Sequence, residues 1–459
     1  MFAGEETKDG WRALARPEWL PALAVLLGGV LLASMNVLLL ATVLPTIVAE
    51  LGGEAVMHWP TTAFVASSIV AALCTGVLVA VIGARATFCA GALVFGAGAV
   101  LCWLATTMGW VIAGRFVQGL GGGLLFAVAY VLVRNTFPEA MWSRALALLS
   151  GMWSVSILVG PLVGGAFARY GDWRNAFVLV TVVAVILALG AFRALPPTPP
   201  DREARPGVPA GRMALICLII GGTSSAAVVP TPLAKAGLIA FALVALVIMV
   251  RIDRRATAPL LPSDAFSLGT PTGVGLWLVL LLSVTYSPLQ IYVAIFLQRL
   301  HGLDPLAAGY VVAGASFGWT GAALLVAGAE AKWQDRLIVL GPLVMGAGLL
   351  AIAGLMPLSP GYAVAPPVVL TGAGIGICWA FVAQRVMSGA RKGDETVAAS
   401  SLATVQQLGF AIGAAFAGLV ANASGLAHDV TAAAFWVPVC FVAAAVAAFV
   451  AALRLRAVR

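Results

Sequence analysis

Long apolar runs broken by short polar interruptions make up almost the whole chain. Runs are read at roughly 20–48, 59–82, 86–107, 110–133, 144–168 and 174–194, then at 213–229 and 234–251. Six more follow, at roughly 272–298, 306–329, 336–356, 364–388, 397–421 and 431–453. A run of about 20 apolar residues crosses a hydrocarbon core of ~30 Å as a helix. Polar/apolar alternation of the kind a barrel strand needs is absent, and lipid requires every backbone group to be satisfied internally. The pattern therefore predicts an all-α polytopic membrane protein with 14 transmembrane helices. The first 18 residues are polar and mixed in charge, unlike a signal peptide, and the apolar run after them is too long for one.

Composition agrees: the chain is 62% hydrophobic and only 10% charged, with a mean hydropathy of +1.04, where soluble proteins carry roughly 25% charge. The net charge of +8 reads as topology and not as a nucleic-acid footprint. With the N-terminus in the cytoplasm, 21 of the 26 Lys and Arg residues fall on the cytoplasmic side. Arg169, Arg174, Lys235 and Arg299 fall on the other side, and Arg115 lies inside a run. This asymmetry is the positive-inside signature of an inner-membrane protein with both termini cytoplasmic.

The polar stretches divide the chain. "LPPTPPDREARPGVPAGR" (195–212) is a Pro-rich linker, and "RIDRRATAPLLPSDAFSLGTPTG" (251–273) is a second. The expected layout is an N-terminal six-helix bundle at 1–194, linkers with two inserted helices at 195–271, and a C-terminal six-helix bundle at 272–459. Two such halves suggest a transporter. All six cysteines fall within apolar runs, at spacings that suggest neither disulfides nor a metal site.

Several motifs carry a family resemblance. "GRFVQG" (114–119) lies in the fourth run, "GPLVGG" (160–165) in the fifth, and "GDWRNAF" (171–177) just after it. "FLQRLHGLDPLAAG" (296–309) and "QQLGFAIG" (406–413) mark the second half. With these motifs in this order and a 6+2+6 layout, the chain resembles the major facilitator superfamily, in its fourteen-helix drug:proton antiporter branch. The resemblance implies alternating-access export of small lipophilic molecules, with Gly160, Pro161, Gly164 and Gly165 as a gating hinge; close helix packing explains the same residues equally well. Two positions depart from the family pattern. Asn36 stands where the first helix carries an acid, and Ala80 replaces the aspartate of the loop between the second and third helices.

A census of carboxylates bears on coupling. The chain has 18 acids, each in a loop, a tail or the last turn of a run, and none occurs between Ala55 and Pro138. A buried carboxylate can serve as a proton carrier because desolvation raises its pKa toward neutral, whereas asparagine does not titrate. Proton coupling then falls to a residue at the rim, Glu139 or Glu330, or to another gradient. Arg115 lies in the longest acid-free stretch, and a guanidinium keeps its proton inside a protein. Asn36, Gln118, backbone carbonyls and cavity water are its available acceptors. Arg115 then serves either as a structural residue joining the first and fourth helices or as the cation of a cavity that takes an anionic or amphiphilic headgroup.

Tyr286 and Gln290, spaced i, i+4 beside Pro288, share a helix face, and mid-span polar groups tend to face a bundle interior. Trp153 and Gln406 are further candidates for lining the substrate path. The glycines of "GLGGG" (119–123) suit close helix approach rather than a phosphate cradle. Expected partners are a small-molecule substrate and the bilayer, with protons and a periplasmic adaptor protein as further candidates; no nucleic acid is expected, and a monomer suffices. No enzyme constellation, cofactor motif or metal cluster stands out. The alternatives to an exporter are an anion or amphiphile carrier built around Arg115 and a transport-inactive membrane receptor or assembly relative.

Overall fold

The computed structural model describes residues 11–53, 56–57, 59–170, 172–197, 231–253, 260–358, 360–426 and 429–458, with residues 211, 215, 218 and 229 singly. After one turn at Trp11–Leu14, the first helices are α1 Leu20–Leu51, α2 Trp59–Ile82, α3 Ala84–Trp103, α4 Met108–Thr136, α5 Glu139–Tyr170 and α6 Trp173–Ala194. Then come α7 Pro232–Asp253, α8 Pro271–His301, α9 Pro305–Val326, α10 Ala331–Leu355, α11 Ala365–Ser388, α12 Glu395–Ala423 and α13 Val430–Ala457. Among the described residues, 12 helices are long and apolar enough to cross a membrane, namely α1–α6 and α8–α13. α7 corresponds to the second inserted run of the sequence. The first, 213–229, lies almost wholly outside the described residues, as do most of the Pro-rich linker, Cys217, His58 and His428.

The chain forms two compact units. The first holds Met1–Met213 with Ala256–Leu260 and Ala399–Thr404; the second holds Ala214–Arg255, Leu261–Ala398 and Val405–Arg459. Their internal wiring is alike. In the first unit α4 packs against α2 and α3, α1 against α5 and α6, and α3 against α6. In the second, α11 packs against α9 and α10, while α13 packs against α8 and α10. Gly409 and Gly413 of α12 seat against Ser283 and Ser287 of α8, as Gly160 and Gly164 of α5 seat against Met35, Leu38 and Leu39 of α1.

Backbones meet where glycine removes the side chain. A Cβ on Gly98 of α3 would lie 2.6 Å from the Gly114 carbonyl of α4, and one on Gly114 would lie 2.8 Å from the Gly98 carbonyl. The second unit repeats the device: a Cβ on Gly341 of α10 would lie 2.7 Å from the Gly374 carbonyl, and one on Gly374 would lie 2.8 Å from the Gly341 carbonyl. Lipid is as apolar as a leucine, so helices associate through such close packing and not through a hydrophobic driving force. At Gly83 a φ of 83° lets one residue separate α2 from α3, a tight turn between the two helices.

Candidate functional site

α4 carries the fourth-run motif into the interior of the first unit. Arg115 is fully buried, as are Asn36 of α1 and Gln118 one turn further along α4. Arg115 Nη1 donates to Asn36 Oδ1 and, at 3.0 Å, to Gln118 Oε1. Its guanidinium lies 4.2 Å from the centroid of the Phe64 ring of α2. That ring comes close because Gly119 lets α4 rest on the Phe64 carbonyl, where any Cβ would collide. Among the described residues no carboxylate pairs with the cation. It is held by two amide oxygens and an aromatic face, which ease the burial of a charge but do not neutralise it.

Both amide oxygens turn toward Arg115, so their NH2 groups turn away. Arg115 Nε and Nη2, Asn36 Nδ2 and Gln118 Nε2 are all buried donors without a hydrogen-bond partner among the described residues. Each unpaired buried donor costs about 1–3 kcal/mol. The cluster is positively charged and has only donors to spare, which suits an incoming acceptor or anion and repels a cation.

The remaining candidates of the first unit do not join this cluster. Trp153 of α5 stands edge-on to Phe126, with centroids 6.4 Å apart, and is partly exposed. Gly160 and Gly164 are packing contacts against α1, whereas a Cβ on Gly165 would meet nothing within 4 Å. α5 runs unbroken through Pro161. Glu139 sits exposed in the first turn of α5.

In the second unit, Tyr286 is buried and Gln290 is exposed. Tyr286 packs with Trp319 of α9 at 5.4 Å and Phe410 of α12 at 6.1 Å. Trp319 in turn meets Trp379 of α11 at 5.7 Å. This aromatic quartet joins four helices, and its members Trp319 and Phe410 carry no local sequence signal that sets them apart. Gln406 is buried, with Oε1 unpartnered among the described residues. Glu330 is exposed at the start of α10 and pairs with Lys332 at 2.6 Å. The enclosed acid of that region is Asp335, which accepts from Arg385 of α11 at 2.6 Å.

A polar clamp closes one end of the first unit. Glu50 of α1 accepts from Trp173 Nε1 and from Arg174 Nη1, both at 2.7 Å. Arg174 also donates to the Ala105 carbonyl at 3.0 Å and stacks 4.3 Å from the Trp173 ring. The Trp-Arg of "GDWRNAF" thus ties α1 and the end of α3 to the start of α6. Near the turn at Gly83, Arg85 pairs with no carboxylate among the described residues: it donates to the Phe192 carbonyl of α6 at 3.5 Å and lies 5.0 Å from the Phe192 ring.

The family model of the Major Facilitator Superfamily matches residues 26–414. A probable multidrug-efflux transporter of Mycobacterium tuberculosis is 34% identical over 431 residues, 90% of this chain and 89% of its own length. The multidrug transporter MdtP of Bacillus subtilis is 23% identical over 395 residues, 84% of this chain and 72% of its own. Among solved structures, the human organic anion transporter MFSD10 superposes with a TM-score of 0.72 at 15% identity, covering 95% of this chain and 100% of that one.

Proposed function

We propose that this chain, which belongs to the Major Facilitator Superfamily, is a secondary active exporter of small lipophilic or amphiphilic molecules whose first helix carries no coupling proton. Family membership makes it a multi-pass membrane transporter and not an enzyme. The observation that carries the reading is the pairing of Arg115 with Asn36. At this position an amide accepts from the buried guanidinium, and an amide cannot change charge with pH. Export is supported by the relatives described as multidrug transporters. Coupling then rests on another gradient or on an acid at a helix end, with Glu139 and Glu330 as candidates. The excess of Lys and Arg on one side supports an inner-membrane location with cytoplasmic termini.

A second reading is favoured by the unpartnered donors around Arg115: an anion or anionic-headgroup carrier. Proteoliposomes with an imposed pH gradient distinguish the two. A fluorescent lipophilic cation and a matched lipophilic anion are followed with the natural protein, Asn36→Asp and Arg115→Ala. The exporter reading expects probe flux in the natural protein that gains pH coupling in Asn36→Asp. Anion flux lost in Arg115→Ala supports the carrier. Cation flux in the natural protein that is tightly driven by the pH gradient and lost in neither variant would overturn the carrier and send the search for the coupling acid to Glu139 and Glu330.

A further inference from the structure

At one end of the second unit, α8 and α10 begin and α11 and α13 finish around a cleft of about 720 Å³. Lys332 and Arg336 of α10, Arg385 and Ser388 of α11 and Arg456 of α13 line it, together with the single acid Asp335. Asp335 is committed to Arg385 at 2.6 Å, which holds that guanidinium rigid in the wall. Lys332 shares its charge with Glu330 outside, both side chains being largely exposed, and such a pair is screened by solvent. Arg336 and Arg456 have no carboxylate partner among the described residues. Arg336 lies 4.8 Å from the Trp333 ring, a contact that orients the guanidinium without neutralising it.

The backbone adds to this charge. Ala331, the first residue of α10, lines the same cleft, and the residue capping that helix makes no side-chain hydrogen bond to its first turn. The amino end of the helix therefore borders the cleft, with the carboxylate of its cap, Glu330, turned to Lys332. The basic segments 332–336, 385–392 and 454–456 belong to the side that the Lys and Arg asymmetry assigns to the cytoplasm. Guanidinium forks, an ammonium and a helix N-terminus converging on one recess match the tetrahedral oxygens of a phosphate better than the plane of a lone carboxylate.

We propose that this cleft binds a phosphate group, of the kind carried both by an anionic phospholipid headgroup and by free phosphate. Basic recesses between transmembrane helices at the cytoplasmic face are placed to take such headgroups. Occupancy would brace α10, α11 and α13 at their shared end, because the phosphate would bond to all three at once.

The test uses the full chain in phosphatidylcholine nanodiscs, with thermal unfolding followed as phosphatidylglycerol is titrated in or, separately, as inorganic phosphate is added. The native protein is compared with Arg336→Gln/Arg456→Gln and with Arg299→Gln, which removes an exposed charge at the other end of α8. Phosphatidylglycerol is expected to raise the melting temperature of the native protein. The response should need about thirtyfold more lipid in the double variant, about fivefold per charge removed, and should be unchanged in Arg299→Gln. A shift produced by inorganic phosphate and lost in the double variant assigns the same site to a soluble phosphate. Each single variant gives the same reading at about fivefold, so poor recovery of the double variant leaves the test intact. Equal responses in native and variant proteins to both probes, or an equal loss in Arg299→Gln, would overturn the proposal.

Discussion

Asn36 of α1 accepts a hydrogen bond from Arg115 of α4, and both side chains are fully buried. An amide and a guanidinium in this position make a contact that is permanently charged and does not respond to pH. Removing the amide should therefore be felt in stability. Hydrogen bonds to charged groups are worth about 1.5–3 kcal/mol, so Asn36→Ala is expected to lower stability by that amount, and Asn36→Asp to lower it less by supplying an acceptor. Thermal unfolding in one detergent at neutral pH reads both; an Asn36→Ala protein as stable as the native one would rule out a structural role for the contact.

The reciprocal glycines make a prediction with a built-in control. Gly98→Ala and Gly341→Ala each place a methyl group within 2.6–2.7 Å of a carbonyl oxygen on the neighbouring helix. Overpacking of this kind costs about 1–3 kcal/mol. Gly165→Ala has nothing within 4 Å to strike and gains helix propensity. Melting temperatures should fall for the first two variants and hold for the third. A fall for Gly165→Ala would mean that the flexibility of this glycine, and not its packing, matters.

Asp335 and Arg385 form an ion pair at 2.6 Å, with side chains 12% and 29% exposed. Asp335→Asn should lower stability by about 1.5–3 kcal/mol, since a half-enclosed guanidinium then keeps only a neutral acceptor. The swap Asp335→Arg/Arg385→Asp should recover part of the loss. Additive losses in the double-mutant cycle would show that the two side chains are not coupled.

The clamp at Glu50 should report on the end of the first unit it closes. Glu50→Ala removes the acceptor of both Trp173 and Arg174, while Glu50→Gln keeps an oxygen for the indole. Glu50→Ala is expected to melt earlier than Glu50→Gln and to expose a cysteine placed at Ala105 to a water-soluble maleimide. Equal labelling of Ala105→Cys with and without Glu50 would show that the clamp does not control that end.

Part of the site is legible in the amino-acid order. Arg115, Asn36 and Gln118 stand out because polar groups are rare inside apolar runs and must find one another, and they do meet. Tyr286 and Gln290 are less legible. Their spacing places them on nearby parts of one helix surface, yet one is buried and the other exposed. Glu330 and Asp335 lie five residues apart, and charge alone does not tell which of them turns inward. α10 resolves it by presenting Asp335 to Arg385, 50 residues away.

Hydropathy is a local property, so the order of residues is enough to specify the helical membrane fold, 12 of its crossing helices, the basic asymmetry and the absence of a carboxylate from the Arg115 stretch. Partner choice is not local. The runs are apolar on nearly every side, so no stripe announces which face each helix buries. Rotation and depth are set where backbones touch, at Gly98 and Gly114 or Gly341 and Gly374. It is this packing, invisible in the linear pattern, that lays Phe64 over Arg115, brings Trp173 and Arg174 to Glu50, and gathers Arg336, Arg385 and Arg456 from three helices into one cleft.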